Sequence, residues 1–121
     1  MSREAIDKMM LTANFAHEYG DYINAIQAAY YAMFHTVREY LEIKHPGSTT
    51  RVKTHSGLTN RFGQLAVLED GLDARFGAML SDMIRERFDA VYGFEANDRD
   101  AHEAVSIAET FIDHLRGKLD T

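Results

Sequence analysis

The strongest periodic pattern in the chain is YINAIQAAYYAMFHTVREYLEI, residues 22–43. Its apolar side chains recur at steps of three and four, which places them on one face of an α-helix. That face consists of Ile23, Ile26, Tyr30, Met33, Val37 and Leu41. The pattern predicts a long helix with a continuous buried side, and the Pro46-Gly47 pair that follows marks its end.

Similar periodic patterns predict four further helices, separated by short breaks that contain glycine. The predicted ranges are residues 3–19, 52–68, 72–92 and 99–118. The Ser-Thr-Thr triplet at residues 48–50 supplies N-caps for the third helix, and Asn97 or Asp98 caps the last. Because short connections favour antiparallel neighbours, we expect an all-α, antiparallel up-and-down bundle of four long helices plus one short helix.

Composition narrows the possible classes of protein. The 121 residues correspond to one domain, 1–121, with a net charge of −6. The absence of cysteine excludes disulfides and cysteine-based zinc or redox sites. The acidic balance argues against broad, non-specific nucleic-acid binding but not against a small basic site. No apolar run is long enough to span a bilayer or to serve as a signal peptide, so we expect a soluble, cytoplasmic protein.

The fourth predicted helix carries a polar stripe. Asp82, Arg85, Asp89 and Tyr92 follow one another at spacings of three, four and three, and Arg87 lies beside them near the apolar side. One interpretation is a solvated ladder of ion pairs. The other is a site in which arginine binds a phosphate and Tyr92 stacks on, or donates a hydrogen bond to, a nucleotide.

A second candidate is the segment Lys53-Thr54-His55-Ser56-Gly57 at the start of the third predicted helix. Backbone N–H groups at a helix start attract anions, and a neighbouring lysine and histidine strengthen that attraction. The alternative is ordinary capping, with His55 bonded to a carbonyl. A third feature, the aromatic run at residues 30–35, has the spacing of core packing, although Tyr31 and His35 could line a groove.

Several kinds of chemistry lack the residues that they require. The histidines show no i, i+4 pair, so we expect no metal site. No phosphate-binding glycine loop or nucleophile elbow is present, and we expect no cofactor.

Four stretches together resemble the HEPN family, the "higher eukaryotes and prokaryotes nucleotide-binding" domain. They are AAYYAMFHTVREYL at residues 28–41, KTHSGL at 53–58, RERFDAVYG at 85–93 and AVSIAETFIDHL at 104–115. The resemblance implies a helical bundle that forms a homodimer. It also implies a metal-independent ribonuclease or an RNA binder, often the toxin of a toxin–antitoxin pair whose partner is a minimal nucleotidyltransferase.

In the ribonuclease toxins of this family the motif is arginine, four to six residues, histidine, one residue and tyrosine. In this chain Arg85 takes the arginine place and Tyr92 the tyrosine place, while Ala90 stands where histidine is expected. Alanine cannot transfer a proton. A second family pattern, arginine, two residues, then Ala-Asp-Tyr, matches Arg87, Ala90 and Tyr92, with Val91 in place of the acid. His55 is a candidate replacement for the missing base, because imidazole titrates near neutrality.

These interpretations lead to one set of candidate residues and three hypotheses. The ligand-binding candidates are Arg85, Arg87, Asp89, Tyr92, Lys53 and His55, and the catalytic candidates are Arg85, Tyr92 and His55. The first hypothesis is a module that binds a nucleotide or RNA phosphate and works with a minimal nucleotidyltransferase. The second is an active metal-independent endoribonuclease toxin. The third is a purely structural dimerisation domain.

Overall fold

The computed structural model describes residues 2–93 and 95–121, and these form helices and short connections without a strand. The all-α prediction is confirmed. The helices are α1 (Arg3–Glu18), α2 (Tyr22–Lys44), α3 (His55–Arg61, continued by a π-helical segment, Phe62–Glu69), α4 (Ala74–Gly93) and α5 (Asp98–Leu119). Within the described ranges, no helix is both long enough and apolar enough to cross a bilayer.

Contacts between helix ends fix the directions of the outer helices. Arg3 at the start of α1 bonds Asp120 just beyond α5, with Nη2 2.6 Å from Oδ1. His17 near the end of α1 lies 2.9 Å from Asp98 at the start of α5. The two helices are therefore antiparallel, and Gly20, with a φ of 83°, lets the chain turn back into α2.

Helix α2 is the centre of the bundle, since it contacts each of the other helices. Five of the six residues of its predicted apolar face are no more than 1% exposed, namely Ile26, Tyr30, Met33, Val37 and Leu41, and Ile23 is half-buried. Such a continuous row stabilises the fold because each Å² of apolar surface that is removed from water contributes about 25 cal/mol to the free energy of unfolding.

Helix α3 differs from its prediction in its start, its cap and its direction. It begins at His55, and its cap is Thr54, whose Oγ1 accepts a hydrogen bond from the N–H of Gly57 at 2.9 Å. A Cβ on Gly57 would lie 2.8 Å from that Oγ1, so the cap requires glycine there. Thr49, in the triplet expected to provide the cap, is buried with its hydroxyl on Glu42 instead.

The start and end of α3 are held by different parts of α2. His55 lies against the middle of α2, at Tyr30, whereas Asp70 accepts a hydrogen bond from Tyr40 near the end of α2 at 2.8 Å. Helix α3 therefore runs parallel to α2, and residues 45–54 carry the chain back along the bundle. This return brings the N-terminus of α3 beside the aromatic run of α2.

Candidate functional site

The predicted polar stripe of α4 lies in solvent. Arg85 pairs with Asp82, with Nη2 3.6 Å from Oδ1, and both side chains are about 70% exposed. Tyr92 is 63% exposed, and its ring lies 4.7 Å from that of Phe88, one turn earlier on the same helix. The structure brings neither Arg85 nor Tyr92 to His55, and Asp89 and Lys53 are also exposed.

Arg87, two residues from Arg85, points instead into the bundle. Its Cζ atom lies 5.4 Å from the centroid of the Tyr30 ring and 5.8 Å from that of Tyr31. These distances are those of cation–π contacts. Among the described residues no carboxylate forms an ion pair with Arg87, and its buried Nε atom has no hydrogen-bond partner. Its positive charge is held in place by aromatic rings rather than neutralised.

His55 reaches the same aromatic side chains from α3. Its Nδ1 atom is hydrogen-bonded to the Tyr30 hydroxyl, and its ring lies 4.5 Å from that of Phe34. In the part of the chain that the structure describes, its Nε2 atom has no hydrogen-bond partner. One aromatic residue, Tyr30, therefore contacts both Arg87 and His55.

A second arginine borders this arrangement. The Cζ atom of Arg38 lies 5.3 Å from the centroid of the Phe34 ring, and its Nη2 donates to the carbonyl of Val52 at 3.3 Å. We call the group the Tyr30 cluster; it comprises Tyr30, Tyr31, Phe34, Arg38, His55 and Arg87. It is built from the middle of α2, the start of α3 and the last turns of α4.

Two members of the Tyr30 cluster, His55 and Tyr30, have shifted pKa values. Burial, with added repulsion from Arg87 and Arg38, lowers the pKa of His55 below its usual value. Burial raises the pKa of Tyr30 to about 12, although Arg87 acts in the opposite direction. At neutral pH the imidazole and the phenol are therefore both uncharged, and the arginines carry the charge of the site.

The hydrogen bond between Tyr30 and His55 allows two arrangements of protons. If the Tyr30 hydroxyl donates to Nδ1, the N–H of Nε2 is free to donate to an anion. If Nδ1–H donates to the phenol oxygen, Nε2 carries a lone pair that can accept a proton. The cluster can thus bind an anion or serve as a base. Within residues 2–93 and 95–121, no three acidic or histidine side chains are arranged to hold a metal ion.

Sequence reasoning missed Tyr30 and Arg38 as site residues. Tyr30 was expected to be core, and it is indeed fully buried, but its hydroxyl is the partner of His55. A signal was present, because Tyr30, Phe34 and Arg38 follow one another at i, i+4 and i+8 on α2. The place expected to hold the histidine of the motif, Ala90, is 2% exposed and belongs to the core.

Comparison with known proteins agrees with this architecture. A family model described as the HEPN domain matches residues 3–118. A protein of Methanocaldococcus jannaschii that carries the name "putative toxin" is 26% identical over 117 residues, which cover 96% of this chain and 84% of that protein. No solved structure matches the chain.

Proposed function

The chain belongs to the HEPN domain family, and from that premise we propose that it is a toxin-type protein that binds RNA phosphate at the Tyr30 cluster. Arg87 and Arg38 provide the positive charge, and His55 donates a hydrogen bond from Nε2. The name of the Methanocaldococcus jannaschii relative supports the toxin-type role. The exposed pair of Arg85 and Asp82 contributes less than the cluster, because solvent and the neighbouring acid screen its charge.

The observation that carries this proposal is the guanidinium of Arg87, which has no acidic partner among residues 2–93 and 95–121. A partly buried arginine without an acidic partner retains donors that a phosphate oxygen can satisfy, and arginine suits phosphate because it can donate two parallel hydrogen bonds. The aromatic rings of Tyr30 and Tyr31 hold the side chain in place, so little conformational entropy is lost when the anion binds.

The test compares RNA binding by the purified wild-type protein with that of two single variants, one at each of the two arginines on opposite sides of α4. We expect Arg87→Ala to weaken binding of a short single-stranded RNA at least about tenfold, since hydrogen bonds to charged groups contribute about 1.5–3 kcal/mol. Arg85→Ala is the matched control and should change affinity by less than about twofold. Fluorescence anisotropy at one fixed salt concentration measures both. Equal affinity for the Arg87→Ala variant and wild type would show that phosphate binds elsewhere or not at all.

A second candidate function is cleavage of that RNA, and the position of His55 favours it. With a lone pair on Nε2, His55 can take the proton of a 2′-hydroxyl as its oxygen attacks phosphorus. The bond from phosphorus to the 5′-oxygen then breaks, and that oxygen takes a proton from water. The products are a 2′,3′-cyclic phosphate and a 5′-hydroxyl end, and Arg87 would stabilise the charge that develops on the phosphate.

Incubation of intact RNA with the protein and a chelator tests the second candidate. We expect cyclic-phosphate ends with wild type and none with His55→Gln, while RNA binding by His55→Gln stays within a few-fold. Intact RNA in both samples would contradict cleavage and leave the binding function in place.

We also propose that a second protein silences this one, and that the partner is a minimal nucleotidyltransferase, as the family resemblance implies. The exposed Tyr92 is accessible to such an enzyme. Co-expression should relieve any growth arrest that induction of the chain causes; unrelieved arrest would argue against this partner.

A further inference from the structure

A groove lies between α1 and α2 beside the Tyr30 cluster. Its volume is about 270 Å³. The lining residues are Met9, Thr12, Asn24, Gln27, Ala28 and Tyr31. Ligand pockets for drug-sized molecules measure roughly 300–1,000 Å³, so this groove suits a smaller group.

Tyr31 connects the groove with Arg87. The same side chain lines the groove and lies under the guanidinium, 5.8 Å from the Arg87 Cζ atom. Asn24, Gln27 and Tyr31 are spaced at i, i+3 and i+7, which puts them in one row along α2. A molecule whose anionic end is held at Arg87 can therefore extend along this row without leaving the protein surface.

We propose that the groove binds the base of the nucleotide whose phosphate is held at Arg87, and that it prefers adenine to uracil. This inference rests on the proposed RNA binding and adds to it the part of the nucleotide that is recognised. Single-stranded bases are commonly recognised by stacking on an aromatic ring and by hydrogen bonds to their edges.

The lining has both kinds of group. Tyr31 offers a half-buried aromatic ring, and Met9 and Ala28 provide apolar walls. The Gln27 carboxamide has no hydrogen-bond partner among the described residues, so its donor and its acceptor are both free. Asn24 donates from Nδ2 to Asp21 at 2.7 Å, which leaves its Oδ1 as an acceptor.

Adenine matches these groups better than uracil does, and the difference lies at Asn24, because a carboxamide such as that of Gln27 can pair with an edge of either base. Adenine presents an amino donor beside a ring-nitrogen acceptor, and a carboxamide can pair with both at once. The second acceptor, Asn24 Oδ1, suits the remaining hydrogen of the adenine amino group. Uracil has carbonyl acceptors in place of that amino group.

The experiment compares three short oligomers of equal length at fixed salt: oligoadenylate, oligouridylate and an abasic ribose-phosphate chain. We expect wild type to bind oligoadenylate at least about fivefold tighter than the abasic chain, as base stacking on an aromatic residue would give. Wild type should also bind oligoadenylate more tightly than oligouridylate. Gln27→Ala should bind both of these oligomers more weakly, while its affinity for the abasic chain stays unchanged. Gln64→Ala, an exposed glutamine in a different groove, is the matched control and should behave as wild type.

The outcomes separate this inference from the proposed function. If wild type binds the abasic chain as tightly as oligoadenylate, or if Gln27→Ala binds oligoadenylate as tightly as wild type, the base site is wrong and phosphate binding stands. If wild type binds oligouridylate as tightly as oligoadenylate, the preference for adenine is wrong. If wild type binds none of the oligomers, both the base site and phosphate binding are wrong. If Gln27→Ala changes the oligomeric mass of the protein and not its affinity for oligoadenylate, the groove belongs to an interface between two copies.

Discussion

At the scale of single residues, Arg85 and Arg87 show how position on a helix decides what an arginine can do. Two residues along an α-helix correspond to a rotation of roughly 200°. Arg85 therefore meets solvent and Asp82, whereas Arg87 meets the rings of α2. Of these two arginines, Arg87 alone has its guanidinium held against aromatic side chains, with no acidic partner in the described part of the chain.

The pKa of His55 provides a direct test of this placement. Because the charge of Arg87 disfavours protonation of His55, the substitution Arg87→Gln should raise the pKa of His55 toward its ordinary value of about 6.5. Titration of the imidazole followed by NMR measures this change. The control is Arg85→Gln, which should leave the titration curve in place. An unchanged His55 pKa in Arg87→Gln would mean that the two side chains are not neighbours in solution.

The same shift has a consequence for stability. A histidine whose pKa is lowered in the folded state binds fewer protons there than in the unfolded chain. The free energy of unfolding therefore decreases as pH falls below about 6.5 and on through the lowered pKa of the folded state. Burial is the first cause of a lowered pKa at His35 and His114 as well, so these residues act in the same direction.

At the scale of helices, α4 shows that a row of residues at steps of three and four predicts burial better than apolar character alone does. Its buried row is Phe76, Leu80, Met83 and Ala90, at steps of four, three and seven. Arg87 is the missing member of that row, one turn after Met83 and one before Ala90. Phe88, although apolar, lies outside this row and is 57% exposed beside Tyr92. Arg87 is the one polar residue in this row, so the spacing of the buried residues would have predicted that Arg87 points into the bundle.

The π-helical segment after α3 changes which residues point inward. Leu58 and Phe62 are buried, but Leu65 is only half-buried and Ala66 takes the inner place. A π-helical turn contains more residues than an α-helical turn, so the inward positions move along the sequence. A pattern that assumes 3.6 residues per turn cannot anticipate this displacement.

The start of α5 gives a prediction about stability. Asn97 forms a capping box: its Oδ1 accepts from the N–H of Asp100 at 2.8 Å, and Asp100 Oδ2 accepts from the N–H of Asn97 at 3.2 Å. Asn97→Ala should lower the free energy of unfolding by about 1 kcal/mol, measured by urea denaturation. Asn60→Ala, at an exposed position on α3, should cost less than about 0.5 kcal/mol. Equal effects of the two substitutions would show that the cap does not stabilise α5.

At the scale of the whole molecule, charge is distributed unevenly around α4. Burial, together with repulsion from Asp100, Glu103, Asp89 and Asp82, raises the pKa of Glu86, which marks the α4–α5 side as acidic. The Tyr30 cluster lies where α4 meets α2 and α3, and Arg87 and Arg38 give it positive charge. Local charge of this kind allows a protein with a net charge of −6 to attract phosphate.

The surface of α1 bears on the expected homodimer, which stays a prediction. Leu11, Phe15 and Tyr19 are spaced four residues apart and are 58%, 68% and 92% exposed. A row of large apolar side chains in water favours burial against another surface. A second copy of the chain would provide such a surface.

Local sequence patterns were enough to predict the helices, most of the buried rows, the all-α bundle and a cap at Asn97 or Asp98, because each depends on residues within a few turns of one another. It also pointed to His55 and Arg87 separately. The packing of the helices brings these two residues together at Tyr30 and leaves Arg85 and Tyr92 in solvent. Tyr30, His55 and Arg87 lie on three different helices. The distances between them depend on the parallel course of α3 and on the packing of α4 against α2. Neither arrangement can be predicted from hydrophobic periodicity, because periodicity reports only which face of a helix is buried.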